Sequence, residues 1–404
     1  MQAVYTGEPI PESFTRAIFL AGPSPRVEGE SWRTTALEIL ERLSYDGVVY
    51  NPEYRENKNP GIDYDTQIEW EEEAMNRCDC IVFWVPRDIY GGKLFPQPMA
   101  ALTTNDEWGT WKHSGKCVFG APPEAEKVGY QLWWARHLGV PNFDNLEATL
   151  QSALSRTAEG ALRMSGECEV PLEIWNRNDF QAWLSAQKDV GNRLDGCRVE
   201  WTFRIPRWTF EPAKGRPRSR LFSYVLHVNV HIEAEDRNKT NEVVSFRPDI
   251  SAVVLHGSLA EAGSCPVVLV KEFRSSVRNE EGFVYELPGG SSKDPNEDPR
   301  EVAVEEVFEE TGLRLPVTEV LPLGSRQINA TGASYHCNLF RTELTPEQLE
   351  QLRSDSSAHG VEGDSERTYV KVVPMSQIIR QRLVDWSQMG MIFSALHDSW
   401  EESR

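Results

Sequence analysis

The sequence predicts two α/β modules. Residues 1–160 read as a doubly wound parallel sheet, residues 161–200 as a linker, and residues 201–404 as a strand-rich module with one acidic helix and terminal helices. Three observations lead there. Short apolar runs alternate with amphipathic helical patterns through the first module, as in parallel sheets whose strands are buried on both faces. The alternation stops after about residue 155, and a strand-rich pattern begins at Trp201. One acidic, well-capped helix then interrupts that pattern. A chain of 404 residues is of a length that two domains fill.

In order, a short polar leader precedes the apolar strand Ala17-Ile18-Phe19-Leu20-Ala21, which stops at Gly22-Pro23-Ser24. Trp32, Ala36, Leu37, Leu40 and Leu43 recur at helical steps. Val48-Val49-Tyr50 is a second strand, ended by Asn51-Pro52-Glu53, and Thr66 to Arg77 a helix mixing apolar and acidic faces. Cys80 to Val85 (CIVFWV) is a third strand, and another helix begins in Thr103-Thr104-Asn105-Asp106-Glu107-Trp108-Gly109. Lys116 to Gly120, Glu124 to His137 and Leu146 to Leu154 complete the module as strand, helix and helix. Ligands of such sheets sit beyond the carboxyl ends of the strands. That edge carries Gly22–Ser24, Pro52-Glu53, Pro86–Asp88 and the start of the Glu107 helix. No GxGxxG follows the first strand, which argues against a dinucleotide-binding sheet. Trp84, Trp108 and Trp111 could stack on a base, although core packing is the commoner fate of tryptophan.

Pro171 to Leu184 offers a short helix and Asp189 to Cys197 a loop. Lys214 to Arg220 (KGRPRSR) reads as a solvated basic turn or a phosphate contact. Leu221 to Glu233 alternates as a strand with His227, Asn229 and His231 on one polar face, and Asn241 to His256 and Pro266 to Arg274 supply further strands. Glu286 to Leu313 then leads through a turn into the acidic helix. Asp298 can cap it, Pro299 occupies its first turn, Glu301 lies three residues past the cap, and Gly312 follows its end. Glu305, Glu306, Glu309 and Glu310 place like charges four apart, which weakens a bare helix. Such a face suits a hard cation with phosphate oxygens, or is a solvated acidic surface. Met375 to Trp400 reads as terminal helices, with Ile378, Ile379, Leu383 and Trp386 as core or a dimer face.

The formal net charge of −20 excludes a general binder of nucleic-acid polymers. Small phosphorylated ligands stay open. Seven scattered cysteines read as reduced thiols. With no signal-peptide pattern and no apolar run of about 18 residues, a soluble cytoplasmic protein without membrane contact is expected.

Two resemblances sharpen these expectations. Ile18 to Pro23 (IFLAGP), Asn51-Pro52-Glu53, Ile81-Val82-Phe83-Trp84 and Thr104 to Gly109 (TNDEWG) resemble the nucleoside 2-deoxyribosyltransferases and their N-glycosidase relatives, over about residues 15–140. The resemblance implies a flavodoxin-like sheet and makes Glu107 the nucleophile toward the anomeric carbon of the sugar. A carboxylate suits that role because an oxocarbenium-like state must be stabilised or trapped. It also implies Asp79 or Asp88 as the group that orients the sugar or protonates the departing base, and Gly22 and Pro23 as substrate contacts.

Gly290, Glu297, Glu306, Val307, Glu309, Glu310, Gly312 and Leu313 resemble the Nudix box. The resemblance implies an α/β/α fold with a mixed sheet, Mg²⁺ (or Mn²⁺) on Glu306, Glu309, Glu310 and Glu297, with Glu309 also catalytic, and hydrolysis of a diphosphate. Six residues rather than five separate Gly290 from Glu297, and Glu305 stands where the family has arginine. Val270 to Arg274 with Tyr285 to Gly290 is most like the ADP-ribose and ADP-sugar pyrophosphatase branch. That implies substrate or metal contacts from Arg274 and Glu286, and a base or further ligand from Glu366 or, second, Glu362. Together the resemblances imply a bifunctional, homo-oligomeric enzyme acting on a small-molecule nucleotide. The alternative is a nucleotide-binding sensor with one or both sites inactive.

Overall fold

The structure is a computed structural model describing residues 1–24, 31–206, 219–258, 264–291, 297–360 and 366–402. The chain divides into two compact units, Met1–Val244 and Ser245–Arg404.

The first unit runs β1 (Gln2–Tyr5), β2 (Ser13–Phe14), β3 (Ala17–Ala21), α1 (Trp32–Arg42), β4 (Val48–Asn51), α2 (Tyr64–Arg77), β5 (Cys80–Trp84), α3 (Leu102–Trp111), β6 (Cys117–Gly120), α4 (Gly129–Leu138), β7 (Asn142–Phe143) and α5 (Leu146–Thr157). Among the described residues these strands form a six-stranded sheet in the order β1-β4-β3-β5-β6-β7, parallel throughout. Every residue of β3 and β5 is buried, because helices cover both faces. Trp70 and Ala74 of α2, Trp108 of α3 and Ala135 of α4 pack on one face, and Ala36 and Leu40 of α1 with Leu150 and Ala153 of α5 on the other. Each large apolar side chain buried there contributes about 1.5–3 kcal/mol. Counted from β3, the order 2-1-3-4-5 reverses between β3 and β5, and the crevice at such a switch point is where doubly wound sheets bind ligands.

The polar leader of the sequence reading is in fact the edge strand β1, paired with β4 from Gln2↔Val48 to Tyr5↔Asn51. Only Val4 of its QAVY is buried, so the strand carries little apolar signal. The helix expected from Glu124 starts later, at Gly129.

Residues 161–200 are structured. They hold β8 (Arg163–Met164), which pairs with β2, then α6 (Leu172–Trp175), α7 (Asn178–Asp189) and the start of β9 (Arg193–Pro206). The loop expected at Asp189 to Cys197 is largely strand, with Leu194 and Cys197 buried and polar residues between them masking the alternation. β9 pairs antiparallel with β10 (Ser219–Ile232), which pairs with β11 (Arg237–Phe246), and the unit boundary falls inside β11 rather than in the expected linker. Residues 214–218 of the basic turn lie outside the described residues.

The second unit continues with β12 (Ile250–His256), β13 (Pro266–Phe273), β14 (Phe283–Glu286), β15 (Gly289–Ser291), α8 (Pro299–Thr311), β16 (Leu321–Gln327), β17 (His336–Glu343), α9 (Pro346–Ser354), β18 (Thr368–Pro374), α10 (Met375–Gln381) and α11 (Trp386–Glu402). Its described strands form a mixed seven-stranded sheet along β14-β13-β12-β17-β16, with β15 beside β12 and β18 beside β13. Only β12 and β17 pair in parallel. Ala303 and Val307 of α8 pack with Leu349 and Leu352 of α9 on one face. Ile378 of α10 and Ile392 and Leu396 of α11 pack on the other. Of the terminal apolar residues, Ile378 is core, whereas Ile379 and Trp386 are exposed.

All seven cysteines are free and buried. No described helix is long and apolar enough to cross a membrane.

Candidate active and metal sites

The amino-terminal site grows from the end of β3. Gly22 has φ +156°, and a Cβ there would lie 2.3 Å from the Trp84 carbonyl oxygen and 2.8 Å from Trp32 Cζ2. Only glycine passes so close to β5. The Pro23 carbonyl accepts from Trp32 Nε1 at 3.0 Å, and Ser31 caps α1 by accepting from Arg33 N. Arg33, 1% exposed, reaches back to donate to the carbonyls of Leu20 and Gly22, to Ser24 Oγ and to Glu53 Oε1. Ser31 Oγ donates to the same Glu53 oxygen at 2.7 Å. One buried guanidinium thus ties the loop after β3 to the loop after β4.

Glu107 comes from α3. Thr104 and Trp108 face the core, Trp108 edge-on to Phe83 at 5.2 Å and to Phe119 at 5.0 Å. Trp108 is therefore core, and Trp84 is likewise buried. Glu107 is half-buried, and its Oε2 is buried without a hydrogen-bond partner among the described residues. Burial pushes its carboxyl up to about 7, with the charge of Glu71 adding and that of Arg33 opposing. Glu71 of α2 is raised by burial as well, opposed by a hydrogen bond from Gln67 Nε2 at 2.8 Å and by Arg33. Tyr54 Oη donates to Gln67 Oε1 at 2.8 Å and fixes that amide. Two carboxyls poised away from their ordinary range beside one arginine can divide the roles of nucleophile and proton carrier. The sequence reading assigns Glu71 only to an acidic helix face and gives Arg33 no role.

Asp79 is a correction. It precedes β5, at the amino-terminal edge of the sheet and opposite the Glu107 edge. Its oxygens accept from Arg163 Nη1 at 2.6 Å and Nη2 at 2.7 Å, from Ala17 N and from Leu172 N. That is a structural clamp, and it reaches no substrate bound at the other edge. Asp88 lies on the ligand edge, but its carboxylate accepts from the amides of Gly91, Lys93 and Leu94, which hold its carboxyl below the usual range. It shapes the loop before α3 and has little capacity left for a sugar hydroxyl.

In the second unit, Asp298 caps α8 by accepting from Arg300 N, and Gly312 ends the helix at φ +70°, as the spacing predicts. Glu310 is 3% exposed, and its Oε2 accepts from Gly289 N at 2.9 Å. Burial, then the charges of Glu306, Glu366 and Glu272, push its carboxyl well up. Glu272 of β13, also buried, is pushed up to about 7 by burial, with Arg274 opposing and Glu366 and Glu286 adding. Glu272, Glu310 and Glu366 each bring one carboxylate oxygen within 4.8 Å of the others. Arg274 Nη2 lies 2.7 Å from Glu272 Oε2 and 3.0 Å from Glu286 Oε2. Even so, Glu272 Oε2 gains no aligned hydrogen bond among the described residues.

The structure thus joins Glu310 and Glu366 to Glu272, a strand residue the box pattern does not name. Glu306, Glu309 and Glu297 stand outside this tight group. Glu306 lies against Gly290, where a Cβ would fall 2.2 Å from its Oε1. Glu309 and Glu297 are half-buried, while Glu305 is exposed. Glu362 lies outside the described residues. Three crowded carboxylates, one of them ion-paired to Arg274, form a donor set that suits a hard divalent cation such as Mg²⁺.

Residues 15–125 match the family model described as nucleoside 2-deoxyribosyltransferase like. The match spans β3 through β6 and includes Gly22, Arg33, Glu53, Glu71 and Glu107, so this part of the chain is a nucleoside 2-deoxyribosyltransferase-like domain. No curated protein matches the chain. The match ends before the second unit, where the Nudix reading rests on the pattern from Gly290 to Leu313.

Proposed function

We propose that the amino-terminal domain cleaves or exchanges the N-glycosidic bond of a nucleoside or nucleotide, with Glu107 attacking the anomeric carbon. The buried Glu107 oxygen, without a hydrogen-bond partner among the described residues, carries this reading. Glu71, whose carboxyl burial raises, would supply a proton to the departing base. Arg33, through Gly22, Ser24 and Glu53, holds the floor on which the sugar rests, so little ordering remains when substrate arrives.

The second unit is proposed to hydrolyse a diphosphate linkage. Glu272, Glu310 and Glu366 would hold Mg²⁺ or Mn²⁺, with Glu306, Glu309 and Glu297 of the box near it and Arg274 and Glu286 toward the substrate. The metal, when bound, would lower the pKa of water and neutralise phosphate charge. A compound with both bonds, such as NAD or ADP-ribose, would serve both units. The sensor reading is favoured by the exposed Glu305 at the arginine position and by Arg274 already engaging Glu272.

The test is incubation of the protein with NAD, ADP-ribose and a panel of nucleosides and nucleotides, with and without Mg²⁺, followed by chromatography and mass spectrometry. Free base and monophosphate are the expected products. Every compound recovered intact, with ligand-induced thermal stabilisation, supports the sensor instead.

For the metal, Glu272→Gln is expected to weaken Mg²⁺ or Mn²⁺ binding by roughly 10- to 100-fold in titration calorimetry. Affinity unchanged in that variant would place the cation elsewhere.

A further inference from the structure

The three carboxylates of the second unit come from three separate elements. Glu272 stands on β13, Glu310 in the last turn of α8, and Glu366 two residues before β18. Like charges brought this close repel. Their backbones must therefore be held together by something other than the carboxylates.

Thr368 reaches all three supports. It is the first residue of β18, fully buried, and pairs in register with Glu272 across the sheet. Its hydroxyl donates to the Glu310 carbonyl at 3.0 Å, one of the carbonyls that a helix end leaves without an intrahelical partner. Glu366 lies two residues back along the same segment. Thr368 also exchanges backbone bonds with His359: His359 N donates to the Thr368 carbonyl at 3.0 Å, and Thr368 N to the His359 carbonyl at 3.1 Å. The next residue, Gly360, donates its N–H to the Glu309 carbonyl at 3.0 Å. Gly360 has φ +126°, and a Cβ there would lie 2.6 Å from the Glu366 carbonyl oxygen, so only glycine lets the two segments approach this closely. The His359 ring braces the helix end. Its Nε2 lies 2.9 Å from Asp355 Oδ2, and a Cβ at Gly312 would fall 2.9 Å from its Cε1.

We infer that Thr368 is the positioning residue of this carboxylate group, its hydroxyl and backbone fixing β13, the end of α8 and the Glu366 segment in one register, with Gly360 setting how close Glu366 comes. The inference rests on the metal site proposed above and adds the residues that assemble it. A group held in this way meets the cation with its ligands already placed, and loss of the Thr368 hydroxyl loosens it without removing a ligand.

The test is Mn²⁺ binding to the full chain, read from the electron paramagnetic resonance signal of the free ion. Thr368→Val keeps the shape and removes the hydroxyl, and it is expected to weaken binding by about 10-fold or more. Thr368→Ser keeps the hydroxyl and should bind as wild type does. Gly360→Ala should weaken binding to a similar degree through a separate contact. Ile392→Ala, a core truncation on the opposite face of the sheet, should lower the urea midpoint and leave Mn²⁺ affinity unchanged. Wild-type affinity in either Thr368→Val or Gly360→Ala, a Thr368→Ser no better than Thr368→Val, or an equal loss in Ile392→Ala would overturn the inference. Failure of the metal reading itself looks different: wild type would bind no Mn²⁺, or Glu272→Gln would bind it as tightly as wild type.

Discussion

Glu107→Gln is expected to lower N-glycosidic cleavage by about four orders of magnitude or more, as loss of a nucleophile does elsewhere. Binding of the sugar should survive, because the amide keeps the shape of the carboxylate and the Arg33 network is untouched. The same residue sets the pH dependence. Its carboxyl is pushed from an ordinary 4.5 to about 7, and the nucleophile must be ionised, so kcat/KM should climb with pH through that region. Stability runs the other way. Between the ordinary value and about 7 the folded state holds a proton that the unfolded chain has released, so this group lowers stability as pH rises through the window. An acid limb near 4.5, or Glu107→Gln with undiminished base release, would assign the chemistry to another residue.

The second large effect is on folding. Asp79→Ala should destabilise the first unit by roughly 3–5 kcal/mol in urea unfolding, because it strands Arg163 as an uncompensated buried charge. The two side chains are 1% and 0% exposed, so water cannot take over the lost bonds. The rate of base release per folded molecule should stay near wild type. A stable Asp79→Ala protein with lost activity would restore Asp79 to the catalytic group.

Much of the parallel sheet was readable because β3, β5 and β6 are apolar throughout and burial on both faces leaves no other option. Glu107 stood out through the Thr104 to Gly109 segment. Glu71 did not, since it is one of several glutamates on α2 and only tertiary packing selects it from Glu69, Glu72 and Glu73. Asp79 misled for a related reason. Its partner Arg163 lies 84 positions away, and nothing local announces the pair. In the second unit the capping pattern from Asp298 to Gly312 made α8 legible, whereas Glu272 meets Glu366 only because β13 and β18 pair in register at Glu272↔Thr368, two residues from Glu366. The helix within Pro171 to Leu184 was legible, whereas the start of β9 was not, because polar residues separate Leu194 from Cys197.

The buried cysteines have a practical consequence. Five lie in the first unit and two in the second, and burial raises the thiol pKa of Cys80 and Cys337 alike. A native molecule therefore offers a thiol reagent almost nothing to attack, and each sulfur becomes reactive only when its own neighbourhood opens. The chain carries its own set of unfolding reporters, distributed so that the breathing of either half can be timed separately by mass, residue by residue, without a single engineered label.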